Sequence, residues 1–529
     1  MAVDVIEQIS DCLKNKKNFL LSGGAGSGKT YSLIKTLHKV YESDAAPRVA
    51  CITYTNVAAD EIKKRSPYSK LWVSTIHDFL WEVIKGFQKN LALSVITLIK
   101  NNNISYSGET PVDNLCFSTV KYENYRRLEE GIISHDDLLK LAEFMFNNYS
   151  LLSKILCDKF DYIFIDEYQD TQKEVVNIFL EYIYEKARGK LCVGFFGDKM
   201  QSIYENGIGD IQSFVDNERV LEIKKTDNYR CSQNAIVFLN KLRNDLSQQP
   251  SKKNQDGSIA NKSGSIKFLY SDSDFDLSTF KTSTYGQNWN FNDSEKTKLL
   301  FLTHRLISRR EGWDGIISAY TNNDMLLGNE PDRLANYLLN LGGILYWFQK
   351  KKYDKVLEIM QRKIRSINDK REIGTFLTEI CKDLNVTISS TIESFHDNKL
   401  LRKDDKLIEY FEKNVERWEN IKILSISQAI AYYSYYNDYS PYSTQHGIKG
   451  AEFDNVLVVM DNGRWNNYNF KYFFEGTDGK ESIIERTSKI FYVCCSRAID
   501  NLVVYYPKPS MVILARAKEF FGENNVISL

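Results

Sequence analysis

Along the chain, short continuous apolar runs alternate with segments whose apolar residues recur at helical spacing. Apolar runs of this length, bounded by turn residues, predict buried strands, and the segments between them predict covering helices. The first run is Asn18-Phe19-Leu20-Leu21, and a helix follows over Tyr31-Ser32-Leu33-Ile34-Lys35-Thr36-Leu37. Val49-Ala50-Cys51-Ile52-Thr53-Tyr54 predicts a second strand, Val57 to Arg65 a helix, and Leu71-Trp72-Val73-Ser74-Thr75 a third strand. From residue 81 the alternation gives way to a helical, irregular stretch with a loop at Asn101-Asn102-Asn103. Strands return at Tyr162-Ile163-Phe164-Ile165 and Leu191-Cys192-Val193-Gly194-Phe195-Phe196, so the helical stretch reads as an insertion into one sheet.

Ser247 to Ser265 is polar, almost without apolar residues, and reads as a linker. Beyond it the pattern repeats in style. Strands are predicted at Ile266-Lys267-Phe268-Leu269-Tyr270, Leu299-Leu300-Phe301-Leu302, Val456-Leu457-Val458-Val459-Met460 and Leu502-Val503-Val504-Tyr505-Tyr506, with a helical interruption between the second and third. Alternation of this kind implies mostly parallel sheets with helices on both faces. The expected architecture is therefore α/β, with two parallel-sheet domains, each interrupted by a mainly helical insertion. The first domain takes residues 1–80 and 150–245, with its insertion at 81–149. The second takes 246–310 and 425–529, with a shorter insertion at 311–424.

Composition narrows the functional classes. The 529 residues are 43% hydrophobic and 13% aromatic, ample for several cores. Lysine and arginine number 69 and so do aspartate and glutamate, so any nucleic-acid surface must be a local groove and not a global field. The nine cysteines form no Cys-x-x-Cys pair, which argues against zinc and iron–sulfur centres, and the adjacent Cys494 and Cys495 read as packed thiols. No charged-then-apolar leader opens the chain and no apolar run reaches membrane-spanning length, so a reducing cytoplasm is the expected location.

The most specific stretch is Gly23-Gly24-Ala25-Gly26-Ser27-Gly28-Lys29-Thr30, set between the first strand and its helix. Strand, glycine-rich turn, Lys-Thr and helix form the context of a P-loop, in which backbone N–H groups and a helix N-terminus converge on phosphate. Lys29 would reach the β and γ phosphates of ATP, and the Thr30 hydroxyl would hold Mg²⁺. A second pair, Asp166-Glu167, ends an apolar strand, where open α/β sheets present their ligand crevice. One carboxylate there would hold Mg²⁺ while its neighbour polarises the attacking water.

The longer string Asp166-Glu167-Tyr168-Gln169-Asp170-Thr171 resembles the second motif of the UvrD/Rep family of superfamily 1 DNA helicases. The resemblance runs nearly end to end. Gln8 stands 21 residues before Lys29, where the family has its adenine-reading glutamine. Ile52-Thr53-Tyr54-Thr55-Asn56-Val57-Ala58-Ala59, Ser74-Thr75-Ile76-His77-Asp78-Phe79 and Gly197-Asp198-Lys199-Met200-Gln201-Ser202-Ile203-Tyr204 match the next motifs in order. Asn228-Tyr229-Arg230-Cys231, Thr444-Gln445-His446-Gly447-Ile448-Lys449-Gly450-Ala451-Glu452-Phe453 and Tyr492-Val493-Cys494-Cys495-Ser496-Arg497-Ala498 complete the series.

The resemblance implies two RecA-like domains and an ATP-dependent 3′ to 5′ motor. The roles it implies are adenine reading by Gln8, ring stacking by Tyr229, Mg²⁺ binding by Thr30 and Asp166, orientation and activation of water by Glu167, and γ-phosphate sensing by Gln201. Arg230 and Arg497 would neutralise charge on the transferring phosphoryl group, and Glu452 would hold the ribose or adjust the second domain. For a track of single-stranded DNA, or duplex with a single-stranded tail, it implies Tyr54 and Tyr204 as stacking platforms. Thr55, Asn56, His77 and His446 would be further DNA contacts. Base–aromatic stacking tolerates any sequence, as a translocating motor requires.

The chain also departs from the family. After Tyr204 stands Glu205-Asn206-Gly207-Ile208 in place of Gly-Trp-Arg-Gly, so the usual stacking tryptophan is absent. The second insertion is short for the family's mobile domain, and the residues after Arg497 leave no room for a fused nuclease. This compact form resembles the UvrD-like subunit type of the Gabija anti-phage system, which implies an OLD-family nuclease as partner. A nucleotide- and DNA-gated regulatory subunit is therefore the alternative function. The tyrosine run Tyr432, Tyr433, Tyr435, Tyr436 and Tyr439 reads first as packing, with DNA stacking or a partner surface as alternatives.

Overall fold

A computed structural model describes residues 4–204, 207, 210–463 and 465–529. Apart from Gly207, the departure at Glu205-Asn206-Gly207-Ile208 lies outside the described residues. The chain divides into two compact units, residues 1–264 with 485–496 and residues 265–484 with 497–529.

In the first unit, six strands form one sheet: β1 (Phe19–Gly23), β2 (Val49–Thr53), β3 (Trp72–Thr75), β4 (Tyr162–Asp166), β5 (Cys192–Gly197) and β6 (Leu221–Lys225). Their order is β3-β2-β4-β5-β1-β6, and every neighbouring pair is parallel. Successive strand side chains point to opposite faces, and helices cover both, so the inner strands are continuously apolar. Phe19, Leu21, Cys51, Phe164 and Phe196 join the core beneath helices Val5–Lys14 and Lys29–Ser43. Leu20, Ala50, Ile163, Val193 and Phe195 join the opposite core, to which the insertion helix His135–Asn148 contributes Leu138, Leu141, Met145 and Phe146.

The second unit has its own six strands: β7 (Ser265–Ser271), β8 (Thr297–Phe301), β9 (Tyr442–Thr444), β10 (Phe453–Val459), β11 (Ala498–Pro507) and β12 (Val526–Ser528). The order β9-β8-β10-β11-β7-β12, again all parallel, repeats that of the first sheet strand for strand. The fold is α/β with two RecA-like sheets, as expected. A helical core fills the stretch between β8 and β9, centred on helices Arg333–Gln349 and Ile426–Tyr436.

Three features differ from, or choose among, the sequence expectations. The outer strands β6, β9 and β12 were not anticipated: β6 carries charge, which an edge strand tolerates, and β9 and β12 are only three residues long. The polar stretch from Ser247 is no free spacer. Gln248 and Asn261 are buried, and Gln249 N–H donates to Thr226 O at 2.8 Å. Its polar side chains satisfy backbone groups of the first unit. In the tyrosine run, packing prevails: Tyr432 and Tyr433 are buried in the helical core, and Tyr439 stacks on Tyr346 at 5.5 Å. Cys494 and Cys495 are buried free thiols. Among the described residues no helix is long and apolar enough to cross a membrane.

Candidate nucleotide and nucleic-acid sites

The loop after β1 runs from Gly23 into the helix Lys29–Ser43, with Gly28 as N-cap at φ 75°. Gly26 is required twice: its φ of 73° is left-handed, and a Cβ there would lie 2.7 Å from Arg230 Cβ and Asn228 Oδ1. Lys29 is only 8% exposed, and its ammonium donates to Gly23 O at 3.1 Å. Ser27 Oγ is buried with no hydrogen-bond partner among the described residues. Buried polar atoms are ordinarily satisfied. An orphan hydroxyl beside a buried lysine fits a cradle for phosphate oxygens.

The loop is held from three sides within the first unit. Asn228 Nδ2 and Gln248 Nε2 both donate to Ala25 O at 3.1 Å, and Ala25 N–H donates to Tyr492 Oη at 3.2 Å. Tyr229 N–H donates to Gly26 O at 2.8 Å, which sets the Tyr229 ring, 47% exposed, beside the loop. Arg230 Nη1 donates to Ser496 O at 3.5 Å. Gln8 is half-buried on the helix Val5–Lys14.

Asp166 ends β4 and Glu167 follows at φ 51°, a left-handed conformation that non-glycine residues rarely adopt. Burial pushes the Asp166 carboxyl up from its ordinary range, the neighbouring Glu167 adds to the shift, and the Lys29 charge opposes it. A hydroxyl and a carboxylate, from Thr30 and Asp166, are hard oxygen donors of the kind magnesium accepts. Gln169 is fully buried; its Nε2 donates to Glu167 Oε2, and its Oε1 accepts Asp198 N–H at 3.1 Å. Gly197 makes room for it, since a Cβ there would lie 2.2 Å from Gln169 Oε1. Gln201 Nε2 donates to Asp198 Oδ2 at 2.9 Å.

The nucleic-acid candidates of the first unit follow the C-terminal ends of its strands. Tyr54, after β2, and Tyr204, after β5 and 42% exposed, stack on each other with centroids 5.9 Å apart at 28°. Thr55 is exposed and caps the helix Asn56–Arg65 by accepting Ala58 N–H at 3.2 Å, with Asn56 exposed beside it. His77 packs edge-on against His135 at 4.9 Å. Burial and that neighbour push its pKa down to about 4, so at neutral pH it offers an N–H and no charge.

In the second unit, His446 lies in a cavity of about 650 Å³ lined by Thr303, His304, Arg305, Arg309 and Trp465. Its ring stands 5.3 Å from Trp465 and its Nε2 is 2.8 Å from Tyr468 Oη, while burial lowers its pKa to about 4. Arg497 is almost fully buried and donates to Ala451 O at 3.3 Å; Glu452 is exposed.

Sequence reasoning missed Gln169, Gln248 and Tyr492, and with them Arg243, whose guanidinium donates to Asp198 and to Tyr492 Oη. Gln169 and Tyr492 stand inside motifs without an assigned role, whereas Gln248 and Arg243 carry no local signal. Trp465, Arg305 and Arg309 were also missed. An aromatic residue close in sequence to a motif is too common to single out.

Residues 7–206 match the family described as an AAA domain. The chain is 26% identical to Gabija protein GajB of Bacillus cereus strain HuB5-5, over 98% of this chain and 97% of that relative. Against Gabija protein GajB of Bacillus cereus strain VD045 it is 27% identical, over 46% of this chain and 50% of the relative. Against the ATP-dependent DNA helicase PcrA of Staphylococcus aureus it is 28% identical, over 44% of this chain and 38% of the relative. The chain thus spans half or less of the latter two.

Proposed function

We infer that this chain, a UvrD/Rep-type helicase by its motif order, its paired sheets and its relatives, hydrolyses ATP to move 3′ to 5′ along single-stranded DNA. One observation carries the reading. The C-terminal edge of a single parallel sheet bears the P-loop after β1, Asp166-Glu167 at the end of β4, and the stacked Tyr54 and Tyr204 after β2 and β5. A nucleotide site and a stacking platform on one rigid edge are what coupling ATP hydrolysis to a DNA track needs.

In this reading Tyr229 stacks on the adenine and Gln8 reads its edge. Ser27 and Lys29 bind phosphate oxygens. Thr30 and Asp166 would hold magnesium, which supplies charge neutralisation on the β and γ phosphates. Glu167 accepts the proton of the attacking water, Gln201 orients to the γ-phosphate, and Arg230 offsets its developing charge. The parts proposed for Arg497 and Glu452 rest on motif position alone. Tyr54 and Tyr204 would stack bases, while Thr55, Asn56, His77 and His446 would donate hydrogen bonds to the backbone of the strand. ATP hydrolysis with and without single-stranded DNA tests the motor, with strong stimulation expected; hydrolysis indifferent to DNA would sink it. Displacement from duplexes with 3′ or 5′ tails tests polarity, with the 3′ tail expected to support it.

A second reading is favoured by coverage. The match to Gabija protein GajB of Bacillus cereus strain HuB5-5 spans nearly all of both chains, whereas the match to PcrA covers under half of each. On that ground the chain would be the nucleotide- and DNA-gated subunit of an anti-phage system, acting on an OLD-family nuclease partner. Co-purification with such a nuclease, and nuclease activity that changes with ATP and DNA, would support this reading; independent behaviour would remove it.

A further inference from the structure

A buried polar chain crosses the first unit, and its hub is Arg243. The guanidinium is 2% exposed and uses every N–H. Nε and Nη2 donate to Asp245 at 2.9 Å each, and Nη2 and Nη1 donate to Asp198 at 3.0 and 3.2 Å. The remaining Nη1 donor reaches Tyr492 Oη at 2.9 Å. Such fork-shaped pairing fixes a carboxylate in orientation as well as position, which a lysine cannot do.

Each end of this chain meets the candidate nucleotide site. Tyr492 Oη accepts the N–H of Ala25, at the crown of the P-loop. Asp198 accepts from Gln201 Nε2, and its own N–H donates to Gln169, which donates to Glu167. A carboxylate is an acceptor only, so the Gln201 amide must face Asp198 through nitrogen. That bond leaves the second amide N–H of Gln201 with a set direction. Arg243 thereby ties the orientation of the proposed γ-phosphate sensor to the same hydroxyl that holds the loop.

We propose that Arg243 and Tyr492 are positioning residues for the terminal phosphate: they act through Asp198 on Gln201 and through Ala25 on the P-loop, without touching nucleotide themselves. This rests on the ATP-binding reading of the first unit. The β-phosphate cradle keeps two other supports when that hydroxyl is lost, because Ala25 O is held by Asn228 and Gln248. Loss of the Tyr492 hydroxyl should therefore be felt at the γ-phosphate and not at the β-phosphate.

The test compares the full chain with Tyr492→Phe and Arg243→Lys, measuring the Kd of ADP, the Kd of a non-hydrolysable ATP analogue, kcat and melting temperature. Tyr492→Phe should lower kcat about tenfold and weaken the analogue severalfold relative to ADP, with ADP affinity unchanged. Arg243→Lys, which keeps the charge but loses the fork, should shift the ratio the same way. A merely structural pair predicts instead that both nucleotides weaken together and melting temperature falls in step; that outcome, or an unchanged ratio in Tyr492→Phe, overturns the proposal. Should Arg243→Lys fail to fold, Tyr492→Phe alone decides, since it removes one oxygen. Wild-type protein that binds nucleotide but never hydrolyses it would sink the ATPase reading and leave the binding ratio as the judge of this one.

Discussion

Single residues of the proposed nucleotide site separate by what each removal leaves behind. Lys29→Ala takes the buried ammonium out of the cradle, so ATP affinity and hydrolysis should both collapse in a nucleotide-binding and turnover assay. Glu167→Gln keeps the shape and removes only the proton acceptor, so ATP should stay bound and uncleaved; wild-type turnover in this variant would refute the assignment. Asp166 adds a pH signature. Its folded pKa is raised by burial and by Glu167, so the buried carboxyl favours the protonated state more than the unfolded chain does. The folded state then binds more protons, and this site's contribution to stability is present at low pH and lost as pH rises through the raised value. In chelator, Asp166→Asn should melt close to wild type at pH 5 and above it at pH 8. A gap that shrinks with rising pH would show that the carboxyl is not desolvated. The place of Glu167 at the end of an apolar strand was legible in the sequence. Its left-handed backbone was not, because it is set by contacts that the fold assembles, among them the Gln169 amide shared between Glu167 and Asp198.

Strand ends and helix caps, as elements, carry the proposed DNA track. Tyr54 leaves β2 at its C-terminal end and meets Tyr204 leaving β5, although β4 stands between those strands in the sheet. Tyr54→Ala should weaken single-stranded DNA binding roughly 5–150-fold, the equivalent of one unstacked base at about 1–3 kcal/mol, while basal ATP hydrolysis survives. Because the two rings stack, the double variant with Tyr204→Ala should lose less than the sum of the single losses. Equal DNA affinity in a well-folded Tyr54→Ala protein would take the pair off the track. A buried structural tyrosine would instead lower melting temperature and basal rate together. Both tyrosines stand in motifs, so each was legible alone. Their stacking on each other was not, since it depends on strand order.

The whole molecule has no net charge, so DNA affinity must come from local clusters, and salt dependence measures how many phosphates those clusters neutralise. In the second unit Arg305 and Arg309 line the cavity that holds His446 and Trp465. Replacing both by alanine should reduce the slope of log affinity against log salt by about 0.7 for each phosphate that an arginine no longer neutralises. An unchanged slope would place the DNA elsewhere. The alternation of apolar runs and helical segments already dictated two α/β halves, because strands buried on both faces must be apolar throughout. The P-loop and the acid pair were equally plain, since a phosphate cradle is built from contiguous backbone and a strand end from adjacent residues. Other features needed the folded chain. The identical strand order of the two sheets depends on edge strands that are short or charged, and so give no apolar run long enough to read. The polar stretch after Ser247 found its hydrogen-bond partners only against the first unit. Tyr492 reaches Ala25 from 467 residues away, and Arg243 reaches Asp198 across 45. Local pattern reports which residues must be buried or exposed, but a buried polar bond is chosen by whichever partner the completed fold brings within about 3 Å, and that partner leaves no periodic trace in the sequence.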